Sequence, residues 1–298
     1  MNILIVDGNE KVSSEKYTEL GMLTQYEVYQ EVLEKISAYE LNISIIHPTW
    51  GDDFLPPGTN LEDFDGIAWT GSVLNIYDLR PDVRRQIDLA KILLQKKNKI
   101  FGSCWGLQVL ATAAGGHVRK NPKGLEAVIA KKITLNKQGI NHPMYNDKPY
   151  TFDSFCWHYD IVEKLPANSI VLSSNDNSDY QSFTFSRNNS EVWGVQYHPE
   201  FNSKWISGLI SQRKSILLEE DFFSKLLEEE GRRDEAVRLM NDGVNYFYHR
   251  GISGLDEFYE YAIKLNLMSG DTTKTRELQR KIVSLKEWRS SQSILLEN

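Results

Sequence analysis

Residues 102–108 read GSCWGLQ, and residues 194–200 read GVQYHPE. The first stretch sets Cys104 between two glycines, where a short apolar run ends and a helix-like run begins. A Gly-x-Cys-x-Gly sequence at a strand-to-helix junction lets the chain turn sharply, because both glycines relieve crowding, and it exposes the side chain between them above a sheet. Cys104 then stands at the N-terminus of a helix expected over 105–114, where unpaired N–H groups and the helix dipole favour a thiolate. The backbone N–H of Trp105 is left to stabilise an oxyanion. A small buried thiol in a tight turn fits the same residues, so this motif alone does not decide. The second stretch does. A cysteine nucleophile needs a base, and the base needs an orienting group; His198 and Glu200, two residues apart at a strand end and stiffened by Pro199, supply both.

Such a constellation requires strands that end side by side. Short β-rich runs occur at 2–7, 42–47, 66–71 and 99–103, each closed by turn formers or small residues. Between them, apolar residues recur at helical spacing in 22–38 (Leu23, Tyr26, Leu33, Ile36) and in 83–97 (Val83, Ile87, Ala90, Leu94). Strand alternating with helix predicts an α/β fold with a mostly parallel central sheet covered by helices on both faces. From about 117 to 200 the runs AVIAKKITL, SIVLSS, QSFTFS and EVWGVQY predict further strands, antiparallel and added to that sheet. Beyond about 202 the chain turns helical and rich in both charge signs. The expected organisation is one domain over 1–214 and a helical C-terminal extension over 215–298.

Composition narrows the function. A chain of 298 residues with 41% hydrophobic content can bury a full core. A net charge of −7 without any basic block argues against nucleic acid. Two cysteines in such a length suit a reducing compartment, and MNILIVD carries no basic leader, so a cytoplasmic location without membrane attachment is expected. The six histidines form no metal-binding spacing, and no phosphate loop follows residue 202; neither a metal nor a cofactor is implied.

Together, GSCWGLQ and GVQYHPE resemble the class I, or triad, glutamine amidotransferases, over roughly residues 1–205. The resemblance implies a flavodoxin-like fold in which Cys104 attacks the side-chain amide of glutamine, His198 relays protons and Glu200 orients His198. Ammonia leaves, and water hydrolyses a γ-glutamyl thioester. A second oxyanion donor is implied in WTGS, at the backbone of Ser72 with Gly71 allowing the turn, although many relatives carry a second glycine there. Gln108, one helical turn from Cys104, is implied to contact glutamine. CWHYD at 156–160 resembles the Ser-His-x-Asp segment of GMP synthase glutaminase domains, with Trp157 where serine is usual. That match brings Trp157, His158, Tyr159 and Asp160 to the substrate. Asp160 would bind the α-ammonium, while His158 fits a structural hydrogen-bonding role equally well. Cys156 is expected in the core. The segment following Gly71 resembles stand-alone GMP-synthase-like amidotransferases and γ-glutamyl peptidases. The implied activity is a glutaminase delivering ammonia to an acceptor on another chain, with a γ-glutamyl peptidase or hydrolase as the alternative. A synthetase partner or a homo-oligomer through the C-terminal helices is a further expectation, with Tyr246, Phe247, Phe258 and Tyr259 as a docking face.

Overall fold

A computed structural model describes residues 1–213 and, beyond them, residues 216, 273, 275–277 and 279–280. The chain divides into two compact units, Met1–Phe201 and Asn202–Asn298. The expected boundary after residue 214, the helices over 215–298 and their aromatic docking face fall almost wholly outside the described residues.

The first unit begins as an alternation of strand and helix. β1 (Asn2–Val6) leads through α1 (Lys11–Glu19) and α2 (Gln25–Ile36) to β2 (Asn42–Ile46). Then come β3 (Gly66–Trp69), α3 (Pro81–Leu93), β4 (Lys99–Ser103) and α4 (Trp105–Ala113). The four strands lie parallel in the order β2-β1-β3-β4. Both faces are covered. Leu4, Val6, Ile67 and Trp69 share a cluster with Ile87 and Leu93 of α3 and Leu107 and Leu110 of α4. The alternate positions Ile5 and Ala68 pack instead with Tyr26, Tyr29 and Leu33 of α2, as the two-residue period of a strand requires. Helix α2 starts at a capping box, in which the Thr24 hydroxyl accepts from the Glu27 N–H and Glu27 accepts from the Thr24 N–H at 2.7 Å. Helix α1 has no counterpart among the expected elements, because its buried residues include Ser13 and Ser14 and leave no apolar stripe to read.

The second half of this unit extends the sheet. β5 (His117–Lys120) and β8 (Asp160–Lys164) pair separately as a small antiparallel ribbon. β6 (Glu126–Leu135), β7 (Thr151–His158), β9 (Ile170–Ser174), β10 (Ser182–Arg187) and β11 (Ser190–Val195) complete a nine-stranded sheet of order β2-β1-β3-β4-β11-β10-β9-β6-β7. This is the expected α/β fold with one refinement. β11 is antiparallel to β10, from which it turns back at Asn188 and Asn189, yet it runs parallel to β4. The strand leading to His198 therefore continues the parallel half of the sheet. Short α5 (Lys137–Ile140) lies between β6 and β7, and α6 (Ser203–Gln212) opens the second unit. Cys156 packs with Ala130, Ile133 and Tyr197 in the core. No helix among the described residues is long and apolar enough to cross a membrane.

Candidate active site

The register between β4 and β11 sets Gly102 beside Gly194 and Ser103 beside Val195. Both motifs thus emerge at the carboxyl edge of adjacent parallel strands, where open α/β sheets carry their sites. Helix α4 approaches this edge closely. A Cβ on Gly106 would stand 2.5 Å from the Trp69 carbonyl oxygen, and one on Gly102 would stand 2.7 Å from the Gly106 backbone. The two glycines flanking Cys104 are therefore required by contact.

Between them Cys104 adopts φ 48° and ψ −105°, a conformation that costs a non-glycine residue about 1–3 kcal/mol. Two backbone bonds hold it there: its N–H donates to the Val195 carbonyl at 2.8 Å, and its carbonyl accepts from Gln108 N–H at 3.1 Å. The sulfur lies 3.7 Å from the Trp157 carbonyl oxygen.

His198 is fixed from three sides. Its N–H donates to the Phe155 carbonyl at 2.7 Å. Its ring stacks on Phe201 at 4.0 Å between centroids. Its Nδ1 meets Glu200 Oε1 at 2.6 Å, which leaves Nε2 to interact with Cys104. Burial would lower the His198 pKa, but the charge of Glu200 and the hydrogen bonds to Cys104 and Glu200 outweigh it and push the ring up to about 9. The imidazolium is therefore the resting form near neutral pH. A cysteine sulfur, an imidazole and a carboxylate in series can exchange a proton with a group bonded to the sulfur.

The loop after β3 lies against this ring. The Gly71 carbonyl accepts from Thr70 Oγ1 at 3.0 Å and Asn9 Nδ2 at 3.3 Å. In a trans peptide the following N–H points the opposite way, so that of Ser72 is turned from these partners. The Ser72 hydroxyl accepts from Leu74 N–H at 3.2 Å. A Cβ on Gly71 would stand 2.6 Å from Cε1 of His198, so position 71 admits no side chain.

A family model for class-I glutamine amidotransferases matches residues 26–211. The chain belongs to this family. Its relatives include a gamma-glutamyl-L-1-hydroxyisopropylamide hydrolase of a Pseudomonas species, 30% identical over 82% of each chain. A glutamine-hydrolyzing GMP synthase of Thermosipho africanus is 31% identical over 40% of this chain, and the match spans 23% of that protein. Among solved structures, a glutamine amidotransferase of Thermotoga maritima shares the fold with a TM-score of 0.58 at 18% identity, covering 82% of this chain and 96% of the other.

In this chain the CWHYD segment closes β7 and opens β8. The side chain of Asp160 is buried, and its Oδ1 accepts from the hydroxyl of half-exposed Tyr77 at 3.1 Å. Burial raises the Asp160 carboxyl above its ordinary value. Gln108 Nε2 donates to the Asp160 carbonyl at 3.1 Å and to Gln196 Oε1 at 3.3 Å. His158 faces away from solvent, with Nε2 2.8 Å from Glu126 Oε2 and Nδ1 3.1 Å from the Asp160 carbonyl. Trp157 is buried, and partly exposed Tyr159 lies under the Lys120 ammonium.

Several residues that shape the site carry no signal in the sequence. Ser103 Oγ donates to Glu200 Oε1 at 3.1 Å and lies 2.5 Å from the Tyr29 hydroxyl of α2. Burial and the Glu200 charge hold Tyr29 well above the usual tyrosine value, so it stays a donor. Gln86 of α3 is fully buried, and its Oε1 accepts from the indoles of Trp69 at 3.2 Å and Trp105 at 2.8 Å. Its Nε2 donates to the Gly8 carbonyl at 3.3 Å. One amide thus ties the ends of β1 and β3 to the first turn of α4. These partners lie between 17 and 97 residues apart in the chain, and only the topology brings them together.

Proposed function

We propose that the chain is a cysteine-dependent γ-glutamyl amide hydrolase, with the γ-glutamyl conjugate of a small organic amine as its preferred substrate. Cys104 Sγ adds to the γ-carbonyl carbon as the thiolate, its proton already carried by His198. The oxyanion is held by the backbone N–H groups of Trp105 and Ser72. As the C–N bond breaks, its electron pair leaves with nitrogen, which takes the proton of His198 Nε2. Water then adds to the γ-glutamyl thioester and gives one proton to His198; the C–S bond breaks with its electron pair on sulfur, glutamate leaves with the water's second proton lost to solvent, and the thiolate–imidazolium pair is restored. Glu200 holds the imidazole by Nδ1 throughout. Asp160 takes the α-ammonium, in a wall completed by Gln108, Trp157, Tyr159 and the His158 that supports it.

The observation that carries this reading is the pairing of a strained Cys104 elbow with a His198 held on Nδ1 by Glu200 at 2.6 Å, and the raised pKa of that ring agrees with it. A protonated imidazole beside the nucleophile suits an amide, whose leaving nitrogen must gain a proton. The choice of a conjugate rests on length: the match to the amide hydrolase runs over 82% of both chains, whereas that to the GMP synthase spans 23% of the relative. The second reading is a glutaminase that hands ammonia to a partner chain, and the GMP synthase similarity favours it. Incubation of purified protein with glutamine and a panel of γ-glutamyl alkylamides, with glutamate, ammonia and free amine measured separately, tests the choice. Alkylamide turnover above that of glutamine is expected, together with complete loss in Cys104→Ala. Turnover of glutamine alone would assign the chain to the glutaminase reading, and an active Cys104→Ala would remove the thioester from both.

A further inference from the structure

Gln25 is the first residue of α2, held in place by the Thr24–Glu27 capping box. It is only 4% exposed, and its Oε1 finds no hydrogen-bond partner in the protein. A buried carbonyl oxygen left without a donor is costly, so its location is informative. The point where a Cβ on Gly71 would stand is 2.8 Å from Gln25 Oε1, 2.6 Å from His198 Cε1 and 3.4 Å from His198 Nε2. The orphan acceptor and the Cε1–Nε2 edge of the imidazole therefore border the same space beside Gly71.

We propose that Gln25 is a substrate-contacting residue whose Oε1 accepts a hydrogen bond from the leaving-group nitrogen and, in the second half of the reaction, from the attacking water. This rests on the hydrolase reading above. An amide nitrogen bonded to the γ-carbon retains an N–H beyond the lone pair that takes the His198 proton, and Gln25 gives that N–H a partner. The hydrolytic water enters from the side the amine has left, with one O–H directed to His198 Nε2 and the other to Gln25. The consequence is a preference for substrate class. An ester of the same shape presents oxygen lone pairs to Oε1 in place of an N–H, so the site selects γ-amides over γ-esters.

The test compares γ-glutamyl isopropylamide with γ-glutamyl isopropyl ester, which differ only in N–H against O, by kcat/KM. This quantity reports steps up to acylation for both. Gln25→Met is expected to lower the amide value ten- to a hundredfold and to leave the ester value within threefold. Equal losses on both substrates would mean that Gln25 serves the imidazole through its Cε1–H or merely the fold, and the proposal would be overturned; no loss on either would also overturn it. Should Gln25→Met lack a cooperative melt, Gln25→Asn, which withdraws the acceptor by one methylene, is judged by the same two ratios. Wild-type protein inert towards both substrates would remove the hydrolase reading itself, and this inference with it.

Discussion

Two histidine–glutamate pairs are buried in the first unit, and they differ in what occupies the second ring nitrogen. In one, His198 Nδ1 meets Glu200 at 2.6 Å and the other nitrogen turns to the Cys104 thiol. In the other, His158 Nε2 meets Glu126 at 2.8 Å, but Nδ1 meets the Asp160 carbonyl at 3.1 Å. The carboxylates differ likewise. Glu126 is saturated by Asn175 at 2.7 Å and Gln181 at 2.8 Å, whereas Glu200 accepts a further bond from Ser103 on Oε1 and keeps Oε2 without a partner. A pair with every position filled holds strands β6, β7 and β8 in register. A pair with a position left open can move a proton. The same two residue types thus serve architecture or chemistry according to what surrounds them.

The largest separation is expected from removing each imidazole. His198→Asn should lower kcat by about 10⁶, the scale found when the base of a nucleophilic triad is removed, and should also cost stability, because buried Glu200 loses its imidazole partner. His158→Asn should cost stability alone: a loss of about 3–5 kcal/mol, because a buried carboxylate loses its partner, with kcat of the folded fraction within tenfold of wild type. Single-turnover rates and thermal melts on both variants check this. A catalytically dead yet fully stable His158→Asn would abolish the distinction between the pairs.

The next effect lies in pH, where the pairs should fail at opposite ends. Burial raises the Glu126 pKa, but hydrogen bonds and the charge of His158 together with Asn175 and Gln181 outweigh it, and the net value falls below 4.5. Its contribution to stability is complete above 4.5 and is lost as pH drops through the folded-state value. For His198, raised from 6.5 to about 9, the contribution is complete below 6.5 and disappears as pH rises through about 9. Glu126→Gln should therefore cost about 3 kcal/mol near neutrality and flatten the acid side of the stability profile, with the alkaline side unchanged. Melting curves across the pH range decide it. Loss of the alkaline limb in Glu126→Gln would contradict the assignment.

The same contrast explains what was legible in the sequence. Cys104 with its flanking glycines, and His198 with Glu200, are short motifs whose geometry is set within a few residues, and the alternation of strand and helix was readable for the same reason. His158 was visible as a residue with two possible roles, but its partner Glu126 is 32 positions away on another strand. Ser103 sits in full view inside GSCWGLQ, yet nothing local connects it to Glu200, 97 positions on. Gln86 and Gln25 look like ordinary polar residues of helices, because what they meet is distant in the chain: Trp69, Trp105 and Gly8 for Gln86, and the Gly71 loop beside His198 for Gln25. The parallel pairing of β11 escaped too, since a hairpin partner is sequence-local and its other neighbour, β4, is not.

The smallest expected effect concerns Ser103, the hydroxyl that distinguishes the chemical pair. Its hydrogen bond at 3.1 Å stabilises the Glu200 carboxylate and draws charge from the oxygen that faces His198. Ser103→Ala returns that charge to the imidazole, so the His198 pKa should climb above its present value of about 9. Tyr29 is not stranded by the change, because its hydroxyl also lies 3.2 Å from the Trp69 carbonyl, so the fold should lose no more than about 1 kcal/mol. In the proposed mechanism the His198 proton is consumed as the amine leaves, and kcat/KM for an amide should decline as pH passes that pKa. A more basic imidazole also yields its proton less readily. The variant should thus show a few-fold lower rate at neutral pH, on the order of 1 kcal/mol, together with an alkaline limb moved to higher pH. A pH–rate profile on wild type and variant provides both readings at once. A limb moved to lower pH would mean that Ser103 supports the imidazolium directly, and Glu200 would no longer be the group through which it acts.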